Sequence, residues 1–230
     1  MKTTSLLCAF LLSFTLSAIA QDGKIYVSNM PASGDRPAAF APVGWKVEDT
    51  VKGDLSGDGK PDYAIKLVED KPVKQDEPSD SERALVVAFS DGANLKRIAV
   101  ATKLLQCTSC GGAFYGVMPA PADVSIEKGV LVIENEHGSR DVSRSTFRFR
   151  YDPGSGSFVL IGYDYTDNDR LTGAVTTEST NYLTGSRVTT LSKGKRTTTK
   201  RSKVSGSKIR LEDASGDDIE GAALHRLGLD

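Results

Sequence analysis

The sequence is poor in histidine and cysteine, with two of the first and three of the second among 230 residues. Histidine is the side chain best suited to acid–base catalysis near neutral pH, so a histidine-based mechanism has little material here. The patterns G-x-S-x-G and H-E-x-x-H and the glycine-rich phosphate loop are also missing, which argues against three common enzyme classes. Basic and acidic residues nearly balance, at 29 and 30, so the composition favours no nucleic-acid partner.

Long apolar runs are absent except near the N-terminus. Lys2 is followed by an apolar stretch over residues 6–16 and by a small-x-small sequence at 18–20. This order is typical of a secretory signal peptide, and the apolar stretch is too short to span a bilayer. We expect cleavage after Ala20, a periplasmic or secreted location, and no membrane span in the mature chain.

Two cysteines, Cys107 and Cys110, remain after that cleavage, in the segment QCTSCGG. In an oxidising compartment such close cysteines favour a disulfide that closes a tight turn. A redox pair of the thioredoxin type needs its second cysteine in a helix, and a zinc site needs two more ligands, for which only His137 and His225 are available. We predict the disulfide and keep the redox and zinc interpretations as alternatives.

Short β-type segments separated by turn sequences fill the chain from residue 45 onward. The segment STFRFRYD alternates apolar and basic residues with period two, and DPGSGS marks a hairpin turn after it. No segment of ten or more residues has a clean helical period, and the best short helix covers residues 221–227. The predicted strands are Trp45–Val51, Tyr63–Val68, Ala84–Phe89, Lys96–Ala101, Asp123–Ile126, Val130–Glu134, Thr146–Tyr151, Phe158–Tyr165 and Val175–Tyr182.

These patterns predict a mainly β fold, either an antiparallel sandwich or a curled sheet. The alternative is a small, incomplete β-propeller, although no repeat of constant period is present. We divide the chain into the signal peptide 1–20, an irregular lead-in 21–42, a single β domain 43–212 and a C-terminal tail 213–230. We expect the tail to pack loosely.

The segment GDLSGDGKPD places oxygen-bearing side chains at alternating positions. Counted from Asp54, they fall at positions one, three, five and nine, a glycine falls at six, and the carbonyl at seven belongs to Lys60. Ca²⁺ takes about six to eight oxygen ligands, and alternate residues of a tightly bent loop converge on one point. The pattern therefore indicates a loop for a hard cation, with a polar turn without metal as the alternative.

Two features separate this loop from an EF-hand. Position twelve is Ile65 rather than a bidentate glutamate, and both flanking segments have β-type patterns. Residues 53–64, with the pattern D-x-S-x-D-G-x-x-D, instead resemble the strand–loop–strand calcium motif of FG-GAP and VCBS-type repeats. This resemblance implies a structural Ca²⁺ held by Asp54, Ser56, Asp58, the Lys60 carbonyl and Asp62.

A longer resemblance involves four blocks of the sequence. They are PVGWKVEDTVKGDLSGDGKPDYAI, CTSCGG, FVLIGYDYTDNDRLTG and STNYLTG. Together they are similar to a group of uncharacterised bacterial secreted proteins. The resemblance supports one domain rather than several and implies no activity.

Two further sets of residues are candidate sites. A candidate ligand surface, for a sugar or a second cation, comprises Tyr163, Tyr165, Asp167 and Asp169. The other interpretation of this segment is a strand whose aromatic face lies in the core. A candidate hydrolase site comprises Glu134, Asp164 and Asp169, because glycoside cleavage needs paired carboxylates.

The basic segment RVTTLSKGKRTTTKRSKV covers residues 187–204. It predicts an exposed hairpin centred on Gly194, whose edge lysines discourage aggregation through strand pairing. A polyanion-binding arm is the alternative, although the aromatic residues of a nucleic-acid platform are absent from the segment.

We expect an exported, non-catalytic binding or structural module that recognises a glycan or a protein at the cell envelope. The alternatives are a carboxylate-dependent hydrolase of envelope glycans and a periplasmic inhibitor or immunity-type protein. A pocket with converging carboxylates would favour the hydrolase, whereas a flat aromatic strip would favour the binding module.

Overall fold

The computed structural model describes residues 25–72 and 80–229. The predicted signal peptide and the first residues of the lead-in lie outside these ranges. Within the described ranges, no helix has both the length and the apolar composition that a bilayer crossing requires.

Five strands between residues 33 and 101 form an antiparallel sheet. These are β1 (Ser33–Gly34), β2 (Trp45–Gly53), β3 (Asp62–Glu69), β4 (Arg83–Asp91) and β5 (Asn94–Ala101). Their spatial order is β1-β5-β4-β3-β2, so β2 to β5 form a meander and β1 pairs with β5 at one edge. The apolar run ALVVAF in β4 is largely buried on both of its faces, as a continuous apolar strand predicts.

The remaining strands form a second antiparallel sheet of seven strands. These are β6 (Ala122–Glu127), β7 (Val130–Gly138), β8 (Asp141–Asp152), β9 (Ser157–Asp169), β10 (Ala174–Asn181), β11 (Ser186–Lys193) and β12 (Arg196–Lys203). Their order is β12-β11-β10-β9-β8-β7-β6, so each strand pairs with its neighbour in sequence. The hairpin predicted from DPGSGS is confirmed as β8–β9, with Tyr151 opposite Phe158.

The two sheets enclose the main apolar core, and the predicted antiparallel sandwich is confirmed. Leu85 and Val87 from the first sheet share this core with Phe147, Phe149 and Leu160 from the second, and all five are almost completely buried. The strands lie in two layers and do not form the blades of the alternative propeller.

A second apolar cluster covers the other face of the first sheet. There Phe40 and Trp45 are buried together with Ile65 and Leu67. The described part of the lead-in, residues 25–42, has no long strand or helix, as expected, but its second 3₁₀ turn supplies Phe40 to this cluster. The 3₁₀ turns in the described residues are Val27–Asn29, Pro37–Phe40 and Leu211–Asp213.

The helix α1 (Gly216–Leu227) follows the last strand. The Ser215 hydroxyl accepts the N–H of Asp218 at its N-terminus, and Gly228, with φ of 68°, ends it in the left-handed conformation. The helix begins five residues before the predicted segment 221–227. Ala223 is fully buried in the main core, so this part of the C-terminus is packed rather than loose.

Candidate functional site

The loop that joins β2 to β3 is closed by Asp62, the first residue of β3. Asp62 is 1% exposed. Its Oδ2 accepts the N–H groups of Leu55 at 3.0 Å and Ser56 at 2.8 Å, and its Oδ1 accepts the N–H of Ser90 in β4 at 3.1 Å. One carboxylate therefore fixes the conformation of the loop and its position beside β4.

Two further aspartates hold the tip of this loop. Asp54 accepts the N–H groups of Gly57 at 2.7 Å and Gly59 at 2.9 Å, one on each carboxylate oxygen. Asp58 accepts the N–H of Lys60 at 2.8 Å, and this hydrogen bond is the main reason that the pKa of Asp58 is lowered. Gly57 and Gly59 both have φ of +81°, which strongly favours glycine, so the bend depends on both.

The predicted calcium ligands lie together in this loop, but their oxygens are held mainly by backbone N–H groups. The Ser56 hydroxyl oxygen is shielded from solvent and has no partner at normal hydrogen-bond geometry. Lys60 is exposed, with its ammonium group 3.6 Å from Asp58 Oδ2. Across residues 25–72 and 80–229, no three His, Cys, Asp or Glu side chains are grouped in a way that could hold a metal ion.

Cys107 and Cys110 form a disulfide, with their Cα atoms 5.1 Å apart. This confirms the pairing predicted from the sequence. The disulfide belongs to a loop that docks on the β7–β8 turn, where Gly138 donates its N–H to Gly111 O and accepts the N–H of Phe114. The cysteines therefore close a turn within a loop that is packed against the second sheet.

The candidate ligand surface around Tyr163 is not at the surface. Tyr163 and Tyr165 are buried, and their hydroxyls lie 2.9 Å from the hydroxyls of Ser145 and Ser143, respectively. Burial raises the pKa of Tyr165 to about 12. The two rings therefore belong to the core, as the second interpretation of this segment states. This face of β9 is covered by the main apolar core and by α1.

The two aspartates of that candidate surface have structural partners. Asp167 accepts a hydrogen bond from Ser143 at 3.2 Å, while burial raises its pKa. Asp169 accepts the N–H groups of Leu171 and Thr172 in the β9–β10 turn, and its hydrogen bond from the Thr172 hydroxyl lowers its pKa. Asp167 shares the Ser143 hydroxyl with Tyr165, but both tyrosine rings are buried, so the four residues do not form an exposed binding surface.

The three candidate hydrolase carboxylates do not converge. Glu134 on β7 and Asp164 on β9 are both register partners of Thr146 on β8. The strand β8 therefore lies between the two carboxylates on the same face of the sheet. Asp164 is engaged by Arg148 at 2.6 Å. Asp169 is five residues beyond Asp164 in the same strand, and the period of two places it on the opposite face.

A cleft of about 550 Å³ lies between α1, β7 and the segment that carries the disulfide. Sequence reasoning missed it. Its walls include Lys103, Gln106, the Cys107–Cys110 disulfide, His137 and Glu220. The lining mixes charged, amide and aliphatic groups, whereas a typical small-ligand pocket has mostly apolar and aromatic walls.

A chain of polar contacts crosses the base of this cleft. His137 Nε2 lies 2.7 Å from Glu220 Oε1, and the Ser145 hydroxyl donates to Glu220 Oε2 at 2.8 Å. The hydrogen bond from Glu220 is the main cause that raises the pKa of His137. Ser145 bonds to the carboxylate rather than to the imidazole, so these residues lack the nucleophile–base hydrogen bond of a hydrolytic triad.

The His137–Glu220 pair makes the stability of the protein depend on pH. Because the pKa of His137 is raised in the folded state, the pair contributes fully to the free energy of unfolding below about pH 6.5. This contribution is lost as the pH rises through the pKa of the folded state. The negative charges of Asp217 and Asp167 also raise the pKa of His137. We expect His137→Gln to be destabilising by about 0.5–1 kcal/mol more at about pH 5.5 than at about pH 8.5, a value reduced for solvent screening because His137 is 38% exposed.

Thermal melting of the wild type and the variant across this pH range measures the effect. Glu220→Gln should remove the same pH dependence, because it removes the charge partner of the imidazole. A difference between wild type and His137→Gln that stays constant over the range would show that the pair contributes only packing.

No family model, no curated protein and no solved structure matches this chain. The resemblances to FG-GAP and VCBS-type loops and to the group of secreted proteins therefore rest on the quoted sequence segments.

Proposed function

We propose that this chain is an exported, non-catalytic binding or structural module whose loop at residues 54–62 takes up Ca²⁺. The disulfide between Cys107 and Cys110 supports an oxidising compartment, since such bonds persist outside the cytosol. The apolar and small-residue segments within residues 1–20 point in the same direction.

The observation that carries the calcium proposal is the Ser56 hydroxyl. This oxygen is shielded from solvent and has no partner at normal hydrogen-bond geometry, although it lies close enough to the Asp58 carboxylate to help lower the pKa of Asp58. A cation bound among the three carboxylates of the loop would satisfy it. The nearby carboxylates still have acceptor positions with which they could bind a cation. Asp62 receives three N–H groups and Asp54 receives two, whereas an ionised carboxylate has about four acceptor positions.

The residues that would hold the ion are Asp54, Ser56, Asp58, the Lys60 carbonyl and Asp62. Bound Ca²⁺ would supply positive charge among three carboxylates that repel one another. The protein's own part is to bend the chain at Gly57 and Gly59 and to fix Asp62 beneath the loop. The ion would then stabilise the connection between β2 and β3 without taking part in a reaction.

A binding or structural role is favoured over a hydrolase because the candidate carboxylates are held apart. Glu134 and Asp164 have β8 between them, and Asp164 is paired with Arg148. An inhibitor or immunity-type protein would also be a non-catalytic module, and the partner would be a glycan or a protein at the cell envelope.

Calcium titration of the mature chain tests the proposal. A dissociation constant of about 10⁻⁴–10⁻³ M, typical of extracellular modules, predicts stabilisation by about 1.4–2.7 kcal/mol at about 10 mM Ca²⁺. This corresponds to a rise in Tm of roughly 3–10 °C relative to EGTA. Magnesium should give a much smaller rise, because it demands a more rigid octahedral site.

Asp58→Asn is the diagnostic variant, since the Asp58 side chain makes only one backbone hydrogen bond in the loop. It should abolish most of the calcium-dependent rise in Tm. Asp91→Asn, at the exposed turn between β4 and β5, is the matched control and should keep the full rise. Equal melting temperatures of the wild type in calcium and in EGTA would refute the calcium site.

A further inference from the structure

The charges of this chain are distributed unevenly along the sequence. Residues 179–211 contain nine Lys or Arg residues and no Asp or Glu. The other 197 residues contain all 30 acidic residues and the remaining 20 of the 29 basic ones. A chain that is almost neutral as a whole therefore has one strongly basic segment, which forms β11, β12 and their flanks.

The strand β12 is a long and regular sheet edge. All eight of its residues are exposed, and its register with β11 runs without a bulge from Lys203 opposite Ser186 to Arg196 opposite Lys193. It contains no proline. In the described part of the chain β12 pairs with β11 alone, so its outer backbone groups are available to another strand.

The basic side chains of this hairpin are not neutralised by the rest of the structure. Six exposed residues form no ion pair with any described residue: Lys193, Lys195, Arg196, Lys200, Arg201 and Lys203. In contrast, Arg187 on β11 lies 3.4 Å from the buried Glu178, and Arg226 on α1 is bound to the same carboxylate. The positive charge is therefore concentrated at the edge strand and the turn before it.

The register identifies which backbone groups of β12 face outward. Val204 donates its N–H to Gly185 O at 3.0 Å, in the same register as the β11–β12 ladder. Hydrogen-bonded pairs alternate along an antiparallel ladder, so every second residue of β12 directs its N–H and C=O away from β11. These outward residues are Thr197, Thr199, Arg201 and Lys203.

We propose that β12 is a docking edge for an acidic, extended peptide segment of a partner protein, which adds to the second sheet as a further strand. Backbone hydrogen bonds to the outward groups would supply affinity, as in other cases of strand addition. Glutamate or aspartate side chains of the segment would lie beside the unpaired basic residues, and opposite charges on neighbouring strands are favourable.

The same charges explain why the edge selects one kind of partner. Two copies of β12 would place like charges opposite each other, so pairing between copies of this chain is disfavoured. An acidic strand meets no such repulsion. Basic residues on an edge therefore act against self-association and in favour of an acidic segment at once.

This edge gives the proposed binding module a class of partner, and it does not depend on the calcium loop. That loop lies near the β6–β7 turn, where a Cβ on Gly129 would be 3.5 Å from Asp54 O. β6 and β12 are the opposite edges of the second sheet. Strand addition at β12 is accordingly expected to be unchanged in EGTA, so failure of one proposal does not imply failure of the other.

A synthetic peptide as long as β12, alternating glutamate with threonine, tests the docking edge with the mature chain. Fluorescence anisotropy should show binding at about 0.05 M salt that weakens at about 0.3 M salt. A second peptide of the same sequence with N-methyl groups on alternate amides keeps the charge but cannot pair as a strand. It should bind at least about tenfold more weakly.

Two variants of the protein locate the interaction. Lys200→Gln/Arg201→Gln/Lys203→Gln should weaken binding at least about tenfold, while Lys46→Gln/Lys96→Gln/Lys128→Gln, with the same change in net charge elsewhere, should bind normally. Thr199→Pro removes one outward N–H from an edge strand, where proline is tolerated. It should weaken binding without lowering Tm, and amide exchange should slow at Thr199 and Arg201 when the peptide is bound.

Three results would overturn the proposal. Equal affinity for the methylated and unmethylated peptides would show a general anion-binding patch without strand addition. Absence of binding to either peptide at low salt would show that the basic residues only protect the edge. Salt-dependent self-association of the chain in the absence of peptide would show that the edge pairs with a second copy.

Discussion

Replacement of Arg83 by alanine is expected to reduce the free energy of unfolding by about 3–5 kcal/mol, the typical effect of removing one partner from a buried ion pair. The Arg83 side chain is 2% exposed. Its Nε and Nη2 donate to the two oxygens of Glu48 at 2.8 Å each, and its Nη1 donates to the carbonyls of Gln106 at 3.1 Å and Ala120 at 2.8 Å. The variant would leave a carboxylate and two carbonyls without these donors.

Urea denaturation followed through the fluorescence of Trp45, the single tryptophan, measures this loss. Arg140→Ala is the matched control, because Arg140 is 62% exposed in its pair with Asp141, and it should leave the midpoint unchanged. Glu48→Gln combined with Arg83→Met should recover part of the stability by removing a carboxylate whose remaining ion pair is with Lys66, at 3.7 Å. A loss below about 1 kcal/mol for Arg83→Ala would contradict the role of this guanidinium in joining β2, β4 and the segment after β5.

Asp62→Ala is expected to cost about 3–5 kcal/mol in EGTA, without any contribution from a metal. The reason is that the buried carboxylate accepts three backbone N–H groups, and hydrogen bonds to a charged acceptor each contribute about 1.5–3 kcal/mol without being fully additive. The loop and the end of β4 would both lose their fixed position. Urea denaturation in EGTA gives the value directly.

A comparison with Asp58→Ala separates the anchoring of the loop by hydrogen bonds from its proposed binding of calcium. Asp58 is exposed and accepts one backbone N–H, and its ion pair with Lys60 is exposed as well, so its removal in EGTA should have little effect. In calcium the difference in stability loss between Asp62→Ala and Asp58→Ala should become smaller, because both carboxylates would then be ligands. An Asp62→Ala variant as stable as wild type in EGTA would show that Asp62 is not the anchor of the loop.

The strands could be predicted from the sequence because their signals are local. FRFRYDPGSGSFVLI carries its alternation and its turn within one short segment, and the β8–β9 hairpin follows from it. The hairpin centred on Gly194 is confirmed for the same reason, with Lys193 and Arg196 as its last pair. The full length of α1 was not predicted, because its first turn is polar and its stability comes from packing of Ala223 on the sandwich.

Only part of the candidate site could be predicted. The acidic loop is a local pattern, and its residues lie together as expected. The burial of Tyr163 could not be read from alternation alone, since alternation assigns residues to a face but not the layer that covers that face. The contact between His137 and Glu220 joins residues 83 positions apart, and no local pattern relates a residue of β7 to one of α1.

The succession of strands in the second sheet also determines how its assembly can proceed. Each pairing from β6 to β12 closes a connection of only a few residues, so little chain entropy is lost at each step. The helix α1 instead has to return across a long stretch of chain to place Glu220 beside His137. We therefore expect the local pairings of the meander to form first, and the cleft to be completed when the helix packs against β7.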